Sequence, residues 1–418
     1  MRIVGLITEY NPFHNGHLYH LNESKKITNS EYSVAVMSGN FLQRGEPALV
    51  DKWTRAKMAI DNGVDLVVEL PVIYACQSAE FFALGAIKIL NSLGVIDSVC
   101  FGSELGDIEK LDYIAEILTN EPDDFKEELK FNLRLGYSYP KAREYALTEY
   151  LKESDSIDLS VVSSIVSNPN NILSIEYLKS LKKVGSNIKP FTLERKQSHY
   201  HDKNLTGVIS SATAIREQLI NNPILENIKH TMPSLTYKYL EDFYIEHKAF
   251  NSLDNFSSIL LYLLRNSTSE RLKNLLDVSE GLDNRIIECS YKYSSINQII
   301  DCISTKRYTL TRLKRILVHL LIDLNKNDIK TLHSYGPQYI RILGLNSKGV
   351  KILNQAKKTS ALPIITKFAD YTKIDNEILH QMIEIDKRAT EIYSIGLKKG
   401  KMKANLDYTT SPYIKLDD

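Results

Sequence analysis

Residues Met1–Leu21 read MRIVGLITEYNPFHNGHLYHL. Arg2 to Ile7 is a short apolar run with β-branched members, the pattern of a strand buried in a parallel sheet. A loop holding the turn formers Asn11, Pro12, Asn15 and Gly16 ends it. From His17 onward, Leu18, Leu21 and Ile27 give a looser helical spacing, with Lys25 and Lys26 further along. Strand, loop and helix in that order open a βαβ unit, and the helix N-terminus is a natural anion site. The class this predicts is α/β with a parallel sheet.

Inside the loop stands His14-Asn15-Gly16-His17, an H-x-G-H motif. Two imidazoles three residues apart at a helix start point the same way, and Gly16 has no Cβ to hold a phosphate off the backbone. Such a site offers donors aimed at charge developing on a phosphoryl group, with no need for a covalent nucleophile. The same pair also reads as half of a metal site or as two surface histidines. The strand before and the helix after favour phosphate chemistry.

A chain of 418 residues, 43% hydrophobic and 25% charged, has the length and composition of a soluble protein of two or three domains. With a formal net charge of +1, any nucleic-acid surface has to be a local patch. The four cysteines, Cys76, Cys100, Cys289 and Cys302, lack C-x-x-C spacing. They read as reduced core thiols, with neither zinc nor a disulfide framework. No apolar run reaches membrane-spanning length, and the first strand leaves no room for a signal peptide. Cytoplasmic is the expected location.

Further along, Tyr32 to Met37, Val64 to Leu70, Ser98 to Phe101 and Ile188 to Leu193 read as strands. Helices are expected over Lys52 to Asn62 and Phe81 to Leu93. After the second strand, S-G-N-F-L-Q-R-G-E-P-A forms a polar loop of the kind that binds ligands at strand ends. Its Gln43, Arg44 and Glu46, with Lys52 and Arg55 beyond, taken by themselves better fit a solvated loop and helix face. Asp107 to about Ser167 breaks the βα rhythm and predicts a helical insertion. Asn168-Pro169-Asn170-Asn171 opens the next helix, where one asparagine suits an N-cap. Arg195 at a strand end suits a triphosphate, whereas His199, His201 and Asp202 are weak support for a metal. Ile209-Ser210-Ser211-Ala212-Thr213-Ala214-Ile215-Arg216 puts hydroxyls at a helix start with a charge one turn in. From Ser234 on, no convincing strand run is found. Lys306-Arg307-Tyr308-Thr309-Leu310-Thr311-Arg312-Leu313-Lys314-Arg315 is basic with an aromatic among it, which suits phosphates and a stacked base. A solvated helix face reads equally well there.

G-x-x-T-E-Y-N-P-F-H-N-G-H resembles the signature of the HxGH nucleotidyltransferase superfamily, which transfers adenylyl groups from ATP. The Thr8 to Phe13 lead-in resembles, more narrowly, the tRNA(Met) cytidine acetate ligase family. The S-G-N-F-x-Q-R-G-E-P-A loop, F-G-S-E at Phe101 to Glu104, P-N-N-I-L, I-S-x-T-x-I-R, K-R-Y-T-x-x-R and Y-I-R-I-L-G-x-N-x-K-G agree with it. The family's usual glycine after I-L is Ser174 here.

The resemblance implies a Rossmann-like nucleotidyltransferase domain over 1–225 with its helical insertion, then a mostly helical tRNA-binding domain over 226–418. It implies catalytic roles for His14, His17, Thr213 and Arg216. ATP contacts are implied for Ile7, Thr8, Glu9, Tyr10, Asn11, Pro12, Phe13, His14, Asn15, Gly16, His17, Leu18, Tyr19 and His20, and for Gly102, Asn171, Arg195 and Ser211. Contacts to tRNA fall to Lys306, Arg307, Tyr308, Arg312, Lys314, Arg315, Arg341 and Lys348. The implied reaction activates acetate with ATP and acetylates N4 of the wobble cytidine of elongator tRNA(Met), magnesium arriving with the nucleotide. No protein partner and no membrane are expected. The residues alone leave open a small-molecule adenylyltransferase and a non-catalytic RNA-binding protein that holds ATP as a structural ligand.

Overall fold

The computed structural model describes residues 1–153, 159–195, 207–208, 210–279, 281–305, 308–397 and 404–416. The elements of the first half are β1 (Ile3–Thr8), α1 (Asn15–Ile27), β2 (Tyr32–Ser38), α2 (Lys52–Asp61), β3 (Leu66–Leu70), α3 (Val72–Ala75), α4 (Ala79–Leu93) and β4 (Ser98–Ser103). Then come α5 (Ile108–Asn120), α6 (Asp123–Arg134), α7 (Tyr139–Tyr150), α8 (Leu159–Ser167), α9 (Pro169–Lys183), β5 (Lys189–Glu194) and α10 (Ala212–Asn221). The βα rhythm and the helical insertion stand where the sequence puts them, with ends moved by a few residues.

Five strands run parallel in the order β5-β4-β1-β2-β3. Period-two alternation divides their side chains between two cores. Ile3, Val34, Val36, Leu66 and Val68 face one side, packed with Phe82, Ile87 and Leu90 of α4. Val4, Leu6, Ala35, Met37 and Val67 face the other, packed with Leu21 of α1, Met58 of α2 and Ile215 of α10. Between them Gly5 lies so close to the Leu90 methyls that a Cβ would sit 2.9 Å away. The chain leaves β1 for β2 on one side and returns from β3 to β4 on the other. That reversal opens a crevice beyond the carboxyl ends of β1 and β4, the place where open α/β sheets bind ligands.

The second half is mainly helical: α11 (Ser234–His247), α12 (Ser257–Arg265), α13 (Ser269–Lys273), α14 (Leu282–Lys292), α15 (Ile296–Ile303), α16 (Leu310–Leu321) and α17 (Lys326–Tyr335). It also corrects the expectation of no strand beyond Ser234. β6 (Ile340–Asn346) pairs antiparallel with β3, and its outer edge takes β7 (Ile364–Ile365) and β8 (Tyr413–Lys415). Between these lie α18 (Ser347–Thr359), α19 (Glu377–Ile395) and α20 (Leu406–Thr409). Arg341 hides the strand in the sequence, because a charge in mid-strand argues against burial. Its guanidinium is nonetheless buried, 2.6 Å from Asp407 Oδ1 and 3.2 Å from Glu69 Oε2, with Lys52 Nζ 2.8 Å from each of those acids. A buried charge persists only when paired in this way.

A second correction concerns the cysteines. Cys76 and Cys100 are buried free thiols as expected, but Cys289 of α14 and Cys302 of α15 form a disulfide. The fold brings α14 and α15 side by side, which spacing alone does not reveal. Among the described residues no helix is long and apolar enough to cross a membrane.

Candidate active site

The H-x-G-H motif caps its own helix. His14 is the N-cap of α1, and its Nδ1 accepts the Gly16 N–H at 3.0 Å. His17 Nδ1 accepts the His14 N–H at 3.3 Å, closing a capping box built from imidazoles. The two rings stack with centroids 3.8 Å apart. Burial, then the Arg195 and Arg216 charges, push His14 down to about 3. Burial followed by the neighbouring His14, His20 and Arg195 takes His17 well below its ordinary value. Both rings are therefore neutral at pH 7. With its Nδ1 spent as an acceptor, His14 carries its proton on Nε2 and has that donor left to offer, whereas the His17 ring also donates to the Pro12 carbonyl.

Both histidines line a cavity of about 280 Å³ over the β1/β4 crevice. Ile7, Thr8, Glu9, Gly16, Tyr19, His20, Gly102, Arg195, Ser211, Thr213 and Arg216 line it too, so most of the residues singled out from sequence converge there. Ser211 is the N-cap of α10, its hydroxyl accepting from Ala214 N. Thr213 and Arg216 follow in the first turns, with Arg216 donating to Asn11 O at 3.0 Å and to Thr213 Oγ1 at 3.3 Å. Two helix N-termini thus aim at one space, with neutral imidazoles and an arginine between them. That is an anion site.

Tyr10, Asn11, Pro12, Phe13, Asn15 and Leu18 stand behind the wall rather than in it. Tyr10 and Phe13 are core residues. Asn11 Oδ1 accepts the Leu49 N–H at 2.7 Å, and Asn15 Nδ2 donates to Val208 O and His230 O. Asn171 also belongs to the scaffold: it is buried, and its Oδ1 accepts the N–H groups of Glu104 and Leu105 at 2.9 and 3.1 Å. In return Glu104 caps α9, accepting from Asn170 N and Asn171 N. The asparagine that faces the cavity is Asn170, within 3.4 Å of Arg195 Nη1. Gly102 lies under Arg195, whose Cγ would be 3.2 Å from a Cβ there.

Sequence reasoning missed Phe82, Phe101, Leu173, Tyr177 and Leu193, which supply the apolar wall. Nothing in the chain separates them from ordinary core residues. Gln43 and Arg44 of the β2 loop line the cavity as well, so this part of the loop faces the site. Lys52 and Arg55 have other work. Arg55 is fully buried and donates to Glu9 O at 2.7 Å, Ser38 O at 2.9 Å, Val50 O at 3.2 Å and Gly39 O, tying together the ends of β1 and β2.

The residues expected to meet tRNA scatter. Lys306 and Arg307 lie outside the described residues. Tyr308 is buried with Arg312 over its ring, and Arg312 Nε donates to Asp277 O at 3.0 Å. Lys314 pairs with Glu46, and Arg315 reaches Gln43 O at 3.4 Å, so α16 is docked on the active-site loop. Arg341 is the buried strand cation described above. Lys348 is exposed near Glu31 and Tyr32, at the amino-terminal ends of the parallel strands, away from the cavity beyond their carboxyl ends. Tyr308, Arg315 and Arg341 are therefore corrected from RNA contacts to framework residues. His199, His201 and Asp202 lie outside the described residues. Among those described, no group of three His, Cys, Asp or Glu side chains could hold a metal.

The comparisons agree with this geometry. The family model described as HIGH Nucleotidyl Transferase matches residues 1–407. A tRNA(Met) cytidine acetate ligase of Alkaliphilus metalliredigens is 45% identical over 421 residues, covering 99% of each chain. One from a Thermoanaerobacter species is 46% identical over the whole of both chains. The crystal structure of apo Thermotoga maritima TmcAL superposes with a TM-score of 0.96 at 36% identity, and its complex with alpha-thio ATP with 0.94, each over both full chains. The chain belongs to the HIGH nucleotidyl transferases and, within them, to the tRNA(Met) cytidine acetate ligase family.

Proposed function

We infer that the chain is an ATP-dependent tRNA(Met) cytidine acetate ligase. The observation that carries this is one cavity holding His14, His17, Thr213 and Arg216, in a chain alike over its whole length to ligases of that name. An acetate oxygen forms a bond to the α-phosphorus of ATP as the bond to the bridging β-oxygen breaks, and the electron pair leaves on pyrophosphate. The His14 Nε2–H, the His17 imidazole beside it, the α1 and α10 N-termini and Arg216 stabilise the charge that gathers on the phosphates. The N4 amine of the wobble cytidine, which must be splayed from its neighbours to enter the cavity, then bonds to the acetyl carbonyl carbon as the C–O bond to the phosphate breaks; AMP leaves with the electron pair and N4 gives up a proton.

The described residues form no metal cage, and any magnesium would arrive on the nucleotide. Among the basic residues before α16, Lys306 and Arg307 remain proposed tRNA contacts, with Arg312 and Lys314 beside them. The deciding experiment incubates the protein with ATP, radiolabelled acetate and unmodified elongator tRNA(Met). Label entering tRNA only with ATP, and absent with His17→Ala, is the expected result. Acetate-dependent AMP formation without label in tRNA would remove the acceptor from this reading.

A further inference from the structure

Three arginines line the cavity, and the ATP chemistry accounts for two of them. Arg216 sits among the helix N-termini where phosphates belong, and Arg195 lies over Gly102 beside Asn170. Arg44 comes from elsewhere. It follows β2, so across the floor of the cavity the order is Arg195 after β5, Gly102 at the end of β4, Glu9 after β1, and Arg44. Its loop is also tied to the other face of the sheet. Gln43 Nε2 donates to Gln77 O at 3.1 Å, just before α4, whereas α1 and α10 pack on the opposite face.

Displacement at phosphorus is in line, so the attacking carboxylate enters opposite the departing pyrophosphate. Arg195 holds one end of that row, and the Gln43-Arg44 loop holds the other, where Glu46 of the same loop also comes within 3.9 Å of Arg216 Nη2; the attacking group enters from that end. A carboxylate needs a cation there, and a guanidinium matches its two oxygens with two parallel N–H groups. We propose that Arg44 seats the acetate carboxylate and aims it at the α-phosphorus, a role that rests on the ligase reading above.

The surroundings fit a seat of fixed geometry. The Gln43 N–H donates to Glu9 Oε1 at 2.9 Å, Arg315 reaches Gln43 O at 3.4 Å, and Glu46 pairs with Lys314. Gly45 presses against the Arg315 backbone with φ +74°. A loop fastened at so many points holds its arginine where a small substrate with few contacts needs it. Phe82 of α4, shortly after Gln77, also faces the cavity and offers apolar surface to a methyl group.

The test is acetate-dependent ATP–pyrophosphate exchange in the wild type and in Arg44→Ala, Arg44→Gln and Arg44→Lys. Calorimetric ATP binding reports whether each variant keeps its fold. For the alanine and glutamine variants the KM for acetate is expected to rise on the order of 10- to 100-fold, the worth of a charge-assisted pair. The KM for ATP should stay within about two-fold, and millimolar guanidinium should partly restore acetate use by Arg44→Ala. A KM for ATP rising in step would make Arg44 a phosphate ligand and overturn the proposal, as would an unchanged KM for acetate in Arg44→Ala or Arg44→Gln that still binds ATP. If the wild type shows no acetate-dependent exchange, the ligase reading itself fails, and this role falls with it.

Discussion

His14 and His17 stack at 3.8 Å with each Nδ1 accepting a backbone N–H, so the pair is held neutral. Their lowered pKa values make a prediction about stability. Between about 3 and the ordinary value of 6.5, His14 binds a proton in the unfolded chain but not in the folded one. Stability from this group is therefore complete above pH 6.5 and is lost as pH falls through that window, by about 1.4 kcal/mol per pH unit at most. Urea midpoints measured in phosphate-free buffer between pH 7.5 and 5 should fall less in His14→Asn than in the wild type. Saturating ATP should flatten the wild-type curve too, because phosphates favour the protonated ring. A wild type no more acid-sensitive than the variant would contradict the buried neutral pair.

Asn170 and Asn171 both bond to the Glu104 loop, Asn170 Nδ2 donating to Glu104 Oε1 at 2.6 Å, but only Asn170 also faces the cavity. Asn171→Ala strands two buried N–H groups and should cost about 1–3 kcal/mol of stability. Asn170→Ala should lower the denaturation midpoint less than Asn171→Ala does, and raise the KM for ATP. Paired urea titrations and exchange kinetics separate the two.

Removing Arg341 leaves Glu69 and Asp407 sharing Lys52 alone in a buried site. Arg341→Met should destabilise the chain by about 3–5 kcal/mol, the usual cost of breaking a buried pair. At a temperature where the variant is still folded, tRNA affinity by filter binding should match the wild type. A selective loss of tRNA binding would return Arg341 to the RNA contacts.

Gly45 cannot carry a side chain, since a Cβ would overlap the Arg315 backbone nitrogen and φ is positive. Strain of that kind costs on the order of 1–3 kcal/mol before any clash is relieved. Gly45→Ala should thus loosen the β2 loop from α16, lowering both the melting temperature and kcat. Deuterium uptake should rise at Gln43 and at Arg315 together.

What could be read from the sequence was local. The H-x-G-H loop, the β2 loop and the Ser211 to Arg216 helix start announce themselves because a few adjacent residues carry both the turn and the chemistry. Tyr177 and Phe82 could not be found, since an apolar ligand wall looks like core until the sheet reverses direction beside it. Arg341 misled because its partners lie far off in the chain at Glu69 and Asp407. Asn171 misled by one residue, since only the path of the Glu104 loop decides which amide turns inward. The Cys289–Cys302 bond was missed for the same reason.

β6 belongs to the second half of the chain but lies against β3 of the first. A fragment ending near residue 225 would expose the main chain of Leu66–Glu69 as an open edge, a template for aggregation. It would also release Lys52 and Glu69 from Asp407 and Arg341, leaving an incomplete charge cluster beneath the active-site loop. The two halves are thus poor candidates for separate expression or for swapping between relatives. A chimera joined at that point would inherit a nucleotide site whose supporting strand comes from the other parent.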